Sequence, residues 1–457
     1  MISIILQMKI GIIGASGVVG KELLNILLAN EYYDLKICAS EASIGKYLLF
    51  DINDTPASFV FEKLEESFFV GLDVSFFCTD NDLSKEWIPI ALKYNVYVID
   101  NSSHFRMEES VPLIIPEING HLVSSSKLIA NPNCCTSILC MVLHPLTKVN
   151  TIKRIDISTY QAVSGAGKLG TEELELQCMQ FAHEKNIEKE CELLKKCISS
   201  PPYEHASKKP IKIQNHTGIF KSQIFDNCFS HNTMIDPKTG YNAEELKIIN
   251  ETKKIMNYDI EVSATCIRVP IMRAHSESVK IVFTNKTSED EIRKILNKSD
   301  GIKVVDNRDE NKFPEPVLAT HENDILVGRI RKDYYDDTNT VFHMFICGDQ
   351  LLKGAALNAY QIFKKYEDYL KLRETIQILE NKIKFIKQYV KEYNSIFDFL
   401  TNKEKMILWF DNNMYMKINE SYDYLMDMKL CDFSSAGIKR LEQVHKNNIM
   451  KYEKFIL

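Results

Sequence analysis

The chain has 457 residues, 45% of them hydrophobic, and a formal net charge of −6. That length predicts two or three domains, and the acidic balance argues against a nucleic-acid surface. Its twelve cysteines are irregularly spaced, with no C-x-x-C, which argues against a zinc or disulfide framework and for the reduced thiols of a cytoplasmic protein.

Met1 to Gln7 is apolar but short, lacks a basic flank and a small-residue cleavage site, and reads as a strand extension rather than a signal peptide. No run of about 18 apolar residues occurs, so no membrane span is expected. Residues 9–13 read as a buried strand, followed by the loop Gly14-Ala15-Ser16-Gly17-Val18-Val19-Gly20 and a helix over 21–29, with Leu23, Leu24, Leu27 and Leu28 at helical spacing. Glycines at such a turn let a pyrophosphate approach the backbone and rest on the helix N-terminus. The spacing is not the strict G-x-G-x-x-G fingerprint, but the strand–loop–helix context favours a dinucleotide over a plain turn. A second strand, Leu35 to Ala39, ends at Ser40-Glu41-Ala42-Ser43-Ile44-Gly45-Lys46. Glu41 there suits a ribose 2′-hydroxyl, whereas Ser40, Ser43 and Lys46 suit a 2′-phosphate, and the residues leave both open.

Val74–Cys78 and Val96–Ile99 are further short apolar runs, with amphipathic Leu83–Tyr94 between them. Alternating strands and helices predict a parallel sheet. Arg106 follows Asp100-Asn-Ser-Ser-His-Phe just past a strand end, where it can bind phosphate; a solvated surface arginine is the competing reading. Leu128–Ala130 is a short strand, and Asn131-Pro-Asn133-Cys134-Cys135 opens a helix. A helix N-terminus lowers a thiol pKa, so Cys134 is a candidate nucleophile, although a buried structural cysteine explains that residue taken alone.

Ile155–Tyr160, Val262–Val269 and Ser278–Phe283 are β-rich, and Ser288–Leu296 reads as a helix with Ser288 and Glu291 at capping-box spacing. These predict an α+β second domain. Gln161 precedes a second glycine-bearing loop, Ser164-Gly165-Ala166-Gly167, and can orient a carbonyl. Arg268 and His275 share one segment, but Pro270 between them prevents alternation from fixing their relative facing. His275 is a general acid/base candidate. Residues 180–222 form a polar stretch, read as a helix and a surface loop. Leu352–Lys365 reads as a helix, and 366–457 as a helical appendage.

Taken in order, these segments resemble the aspartate-semialdehyde dehydrogenase family. The motifs are Gly14 to Gly20, Asp100 to Arg106, Val111-Pro-Leu-Ile-Ile-Pro-Glu117, Ile129 to Cys134, Gln161 with Ser164 to Gly167, Cys266 to Pro270 with Arg273-Ala-His275, Val327-Gly-Arg-Ile-Arg331, and Lys353-Gly-Ala-Ala-Leu-Asn358. They span about residues 8–365.

The resemblance implies a Rossmann-type dinucleotide-binding domain over 1–133, completed by helix 352–365. A catalytic and dimerisation domain follows over 134–351, and the extension 366–457 is left without a role. It implies reductive dephosphorylation of L-4-aspartyl phosphate to L-aspartate 4-semialdehyde, in lysine, threonine and methionine synthesis. Cys134 matches the nucleophile, His275 the acid/base catalyst and Gln161 the residue that positions the acyl intermediate. Arg268 matches the substrate-carboxylate contact, Glu244 the group facing the substrate amine, and Arg106, Asn133 and Lys247 the phosphate contacts. Cofactor contacts map to Gly14, Ala15, Ser16, Gly17, Val18, Val19, Ser40, Ser43, Ser164, Gly165 and Asn358. NADP is the implied cofactor, with NAD open because Ala42 stands where the family often has arginine. The implied partners are the small substrate, inorganic phosphate and a second or further copies of the chain, as a homodimer or homotetramer. The alternatives are a related acyl phosphate reductase, such as N-acetyl-glutamyl-phosphate reductase, and an inactive binding or scaffold homologue.

Overall fold

The computed structural model describes residues 8–32, 34–52, 55–185 and 216–397, together with Gln443. It divides into two units, Gln7–Phe363 and a second made of Met1–Leu6 with Lys364–Leu457. The expected strand extension at 1–7, most of the polar stretch at 180–222 and the appendage beyond residue 397 fall outside the described residues, Gln443 apart.

The first unit is built on two seven-stranded sheets. The first contains β1 (Ile10–Ile13), β2 (Leu35–Cys38), β3 (Tyr47–Ile52), β4 (Thr55–Glu62), β5 (Val74–Phe77), β6 (Tyr97–Asp100) and β7 (Leu128–Ala130). Their order is β3-β4-β2-β1-β5-β6-β7. All pairings are parallel except the β3–β4 hairpin. Every residue of β1, β5, β6 and β7 is buried, which is why these strands read as continuous apolar runs. Helices α1 (Val18–Ala29), α2 (Asn81–Lys93) and the short α3 (Pro116–Asn119) belong to this half. The hairpin was not foreseen: its exposed Tyr47 and Leu49 give no sign of the buried strand that an apolar run suggests.

Gly14 shows why the loop after β1 needs glycine. Its φ is +83°, and a Cβ there would lie 2.3 Å from the Cys78 carbonyl oxygen. On Gly20 a Cβ would fall 2.3 Å from the Gly14 carbonyl oxygen, so α1 packs directly on the turn. The backbone N–H groups of Gly14 and Ala15 both donate to Cys38 O at 3.0 Å, pinning the turn to the end of β2.

Helix α4 (Cys134–Thr147) leads into the second sheet. Its members are β8 (Ile152–Gln161), β9 (Phe229–Ser230), β10 (Glu261–Arg268), β11 (His275–Phe283), β12 (Ile302–Val304), β13 (Ile325–Lys332) and β14 (Val341–Gly348). The order is β12-β13-β14-β11-β8-β10-β9. Helices α5 (Lys168–Lys185), α6 (Ala243–Met256), α7 (Glu289–Leu296) and α8 (Pro316–Ala319) join these strands. One face of the sheet is apolar and joins α4 and α6 in the main core, through Ile155, Ile157, Ala264, Cys266, Val279 and Ile281. Ser288 caps α7, accepting from Glu291 N at 3.2 Å. The reciprocal capping box is found instead on α6: Asn242 accepts from Glu245 N, and Glu245 from Asn242 N, each at 2.9 Å.

The helix expected over 352–365 opens with a π-turn, Leu352–Ala356, and continues as α9 (Leu357–Phe397) without a break at residue 365. Within the second unit, Glu367 pairs with Lys364 and with Lys371, one turn away on either side, the latter at 3.1 Å.

Candidate active site

The C-terminal ends of the parallel strands face a cleft of about 550 Å³, the place where open α/β sheets bind ligands. Its first wall is formed by Gly17, Val18 and Val19 at the start of α1, by Cys78 and Thr79 after β5, and by Asn101–Ser103 after β6. Gly17 caps α1 without a side-chain hydrogen bond, so the first N–H groups of that helix are left for a ligand. This glycine-shaped cradle and open helix end fit the pyrophosphate of a dinucleotide. Gly14, Ala15 and Ser16 shape the turn but do not line the cleft. Ser40 and Ser43 lie at a surface turn after β2, where Ser43 N donates to Ser40 O at 2.8 Å, and they too stand apart from the cleft lining.

Cys134 is the first residue of α4. Asn133 caps the helix, its Oδ1 accepting from Cys135 N at 3.0 Å and Thr136 N at 3.2 Å. The Cys134 thiol is held well below the usual thiol range, first by a hydrogen bond from the Cys135 thiol and then by His275, against the opposing effect of burial. Cys135 moves the other way: burial and donation to Cys134 push it well above that range. The two thiols thus shift in opposite directions, with Cys135 donating toward Cys134.

Three adjacent strands deliver the partners. Arg268 on β10 pairs with Gln161 on β8, and Ser276 on β11 pairs with Tyr160 on β8, which sets His275 beside Gln161. All three side chains are buried at the same end of the sheet. His275 Nδ1 accepts from Ala162 N at 3.0 Å, so in the neutral ring Nε2 carries the proton. That Nε2 is buried, and a ring nitrogen of His275 and the sulfurs of Cys134 and Cys135 lie within 4.8 Å of one another. The spacing would suit a metal ion, but with Nδ1 engaged as an acceptor, Nε2 is a donor and not a free lone pair. The cluster is therefore organised as a thiolate and its hydrogen-bond donors. Gly165 keeps it open: a Cβ there would lie 3.1 Å from His275 Cε1 and 3.3 Å from Arg268 Nη1.

Arg268 donates to Ala162 O at 2.7 Å and to His231 Nε2 at 2.6 Å. Burial, then the Arg268 charge, push His231 down to about 4, so a neutral ring accepts from the guanidinium. Glu244 is buried and accepts from Asn133 Nδ2 at 2.7 Å and from Lys247 Nζ at 3.1 Å. Burial by itself would raise its pKa, but Lys247 and its hydrogen bonds hold it at about 2. Arg106 lines the cleft, with one nitrogen on Asn101 O at 2.8 Å and another on Glu251 Oε1 at 3.1 Å.

The cleft thus brings together Cys134, His275-adjacent Gly165, Gln161, Asn133, Arg106, Glu244, Lys247, Arg268 and Ser164. Asn358 stands apart from the cleft lining. It is fully buried. Its amide donates to Ile114 O at 2.9 Å and Asn131 Oδ1 at 2.7 Å, and its oxygen accepts from buried Lys353 at 2.9 Å. With both ends of the amide engaged, Asn358 supports Asn131, which does line the cleft. Sequence reasoning missed His231, Glu251 and Glu277. Glu277 is fully buried, and burial followed by the Cys134 charge raises its pKa well above the carboxylate range, against the opposing effect of a hydrogen bond with the Cys135 thiol. Its spacing of two from His275 on β11 was the one signal available, since alternate residues share a face.

Comparison with known proteins finds matches over most of the chain. Residues 9–126 match the family described as semialdehyde dehydrogenase, NAD binding domain, and residues 143–353 match semialdehyde dehydrogenase, dimerisation domain. The chain thus carries a nicotinamide dinucleotide-binding domain, and the second match supports self-association. Aspartate-semialdehyde dehydrogenase of Prochlorococcus marinus is 38% identical over 359 residues, covering 78% of this chain and 94% of that protein. The enzyme of that name from Campylobacter jejuni is 36% identical over 371 residues, covering 79% and 97%. The structure of aspartate semialdehyde dehydrogenase II from Vibrio cholerae complexed with ASA is 32% identical, with a TM-score of 0.66, covering 79% of this chain and 98% of that one. With both domains matched and relatives more than 30% identical along most of its length, this chain belongs to the aspartate-semialdehyde dehydrogenase family.

Proposed function

We propose that the chain reduces L-4-aspartyl phosphate to L-aspartate 4-semialdehyde and inorganic phosphate, and runs the reverse reaction, serving lysine, threonine and methionine synthesis. The observation that carries this is the Cys134 sulfur, placed at a capped helix N-terminus between the glycine cradle and a group of cations.

In the biosynthetic direction the Cys134 thiolate attacks the acyl carbon of the substrate, a C–S bond forms, and the C–O bond to phosphate breaks. Arg106 and Lys247 offset the charge of the departing phosphate, and the N-terminus of α4 favours the same sign. Arg268 holds the substrate carboxylate, and Glu244, anionic at neutral pH, faces its ammonium group. A free amine suits Glu244 better than an N-acetyl group does. Gln161 positions the acyl group through its amide. When bound, the nicotinamide cofactor supplies the hydride that reduces the thioester carbon. His275 Nε2–H donates to the oxygen that then carries the developing charge, and collapse of the thiohemiacetal returns the thiolate and releases the aldehyde.

NADP is the proposed cofactor, with weakened discrimination against NAD. Ala42 leaves the turn after β2 without an arginine, and exposed Glu41 beside it suits a free ribose hydroxyl. Ser40 and Ser43 are the hydroxyls available for a 2′-phosphate at that turn. A homodimer or homotetramer is proposed on the strength of the dimerisation-domain match.

The test is phosphate-dependent oxidation of aspartate semialdehyde with NADP and NAD separately, on wild type and Cys134→Ser. Activity with phosphate, lost in the variant, is the expected result. Full activity in Cys134→Ser rejects the mechanism, and a large NADP advantage rejects the weakened discrimination.

A further inference from the structure

Glu251 is a buried acid, 1% exposed, whose two oxygens go to two parts of the site. Oε1 pairs with Arg106 Nη1 at 3.1 Å. Oε2 accepts from the backbone N–H of Asn133 at 2.6 Å, the residue that caps the nucleophile helix. Glu244, seven residues earlier on α6, holds the side chain of the same Asn133 at 2.7 Å. Lys254, three residues later, donates to the carbonyls of Arg106, Glu108 and Val111 at 2.8, 2.6 and 2.8 Å. Residues spaced by three and seven share one helical face, so a single face of α6 grips both Asn133 and the loop that carries Arg106.

We propose that Glu251 is a positioning residue for the phosphate half of the site, registering the Arg106 guanidinium against the N-terminus of α4 and hence against Cys134. A buried ion pair is weak evidence for stability in its own right, because desolvation offsets the attraction. Here the same carboxylate spans two segments that must meet the same substrate: Arg106, on the phosphate, and Asn133, next to the attacking sulfur. Misplacement by about 1 Å at such a position costs on the order of 10²-fold in rate. Glu251 does not line the cleft and acts through Arg106 and Asn133.

This inference rests on Arg106 as a phosphate contact, and the experiment separates the two. The KM for inorganic phosphate is measured in the oxidative direction for Arg106→Ala, Glu251→Ala and Glu251→Gln, with the alkylation rate of Cys134 read in parallel and folding checked by thermal melting. Both Glu251 variants are expected to raise the phosphate KM by about tenfold or more, with the KM for the semialdehyde within about twofold of wild type. Glu251→Ala, which also frees Asn133 N–H, is expected to slow alkylation, whereas Glu251→Gln can still accept from Asn133 and keeps the alkylation rate. If Glu251→Ala does not fold, the glutamine variant alone decides. A lower phosphate KM in Glu251→Gln would mean that the carboxylate only competes with phosphate for Arg106, and would overturn the proposal. An unchanged phosphate KM in the Glu251 variants alongside a raised one in Arg106→Ala overturns it as well. An unchanged KM in Arg106→Ala itself overturns the reading of Arg106 instead.

Discussion

The backbone N–H of Ala162 donates to His275 Nδ1 at 3.0 Å, and this one contact fixes which ring nitrogen can serve the reaction. It leaves Nε2 as the donor of a buried ring, one nitrogen of which lies within 4.8 Å of the Cys134 sulfur. Replacing His275 with Ala is expected to reduce kcat by about 10²–10⁴-fold and to raise the pH midpoint of Cys134 alkylation, because the thiolate loses a donor. Rate–pH profiles of iodoacetamide labelling check the second point; an unmoved midpoint would remove His275 from thiolate stabilisation.

Cys135 also donates to the Cys134 sulfur, and this hydrogen bond does most to lower the Cys134 pKa. Cys135→Ala removes that donor, so the alkylation midpoint should rise, with reactivity lost on the acid side and kept on the alkaline side. Cys135→Ser restores a hydroxyl donor at the same place and should recover most of the shift. Equal midpoints in the alanine and serine variants would count against a hydrogen-bonding role for this thiol.

Gly354 meets Cys134 from the π-turn. A Cβ there would lie 2.8 Å from Cys134 Cβ and 3.2 Å from its Cα. Gly354→Ala must therefore displace either the turn or the first residue of α4, and kcat should fall by about 10-fold or more. The melting temperature is the companion measurement: a kcat effect with a small change in melting marks displacement of the nucleophile, whereas unchanged kinetics would show that the π-turn yields instead.

Two buried groups make the fold acid-sensitive in successive windows. His231 sits near pKa 4 against an ordinary 6.5, so the unfolded chain takes up its proton first and stability declines as pH falls from about 6.5 toward 4. Glu244 sits near 2 against an ordinary 4.5, so its contribution is complete above about pH 4.5 and is lost as pH falls toward 2. The second step corresponds to on the order of 3 kcal/mol at most, reduced by the partial exposure of Lys247. Melting temperature against pH should show both declines. His231→Gln should flatten the upper one and Glu244→Gln the lower, and identical slopes in wild type and variants would contradict the assignment.

Much of the dinucleotide-binding half was legible in the chain, because its strands are buried on both faces and its turn needs glycine. Gly14 and Gly20 answer to backbone atoms of the same unit, so their spacing shows in the sequence. The β3–β4 hairpin was not legible, since its exposed apolar residues carry no buried run. The layer that Asn358 occupies was not legible either: a motif match locates a residue along the chain, and only the fold sets its amide against Asn131 and Lys353.

The sequence by itself determined that Cys134 stands at a helix start and that a glycine turn follows the first strand. These are local properties, set by residues within a few positions of one another. Only the tertiary structure decided how Gln161, Arg268 and His275 share one end of a sheet, because strand register is fixed by pairing between segments more than a hundred residues apart along the chain. Pro270 hid that relationship in the sequence, and the β8–β10 and β8–β11 ladders settle it. The same holds for Glu251, whose neighbours on α6 give no hint that its two oxygens reach Arg106 and Asn133 across the fold.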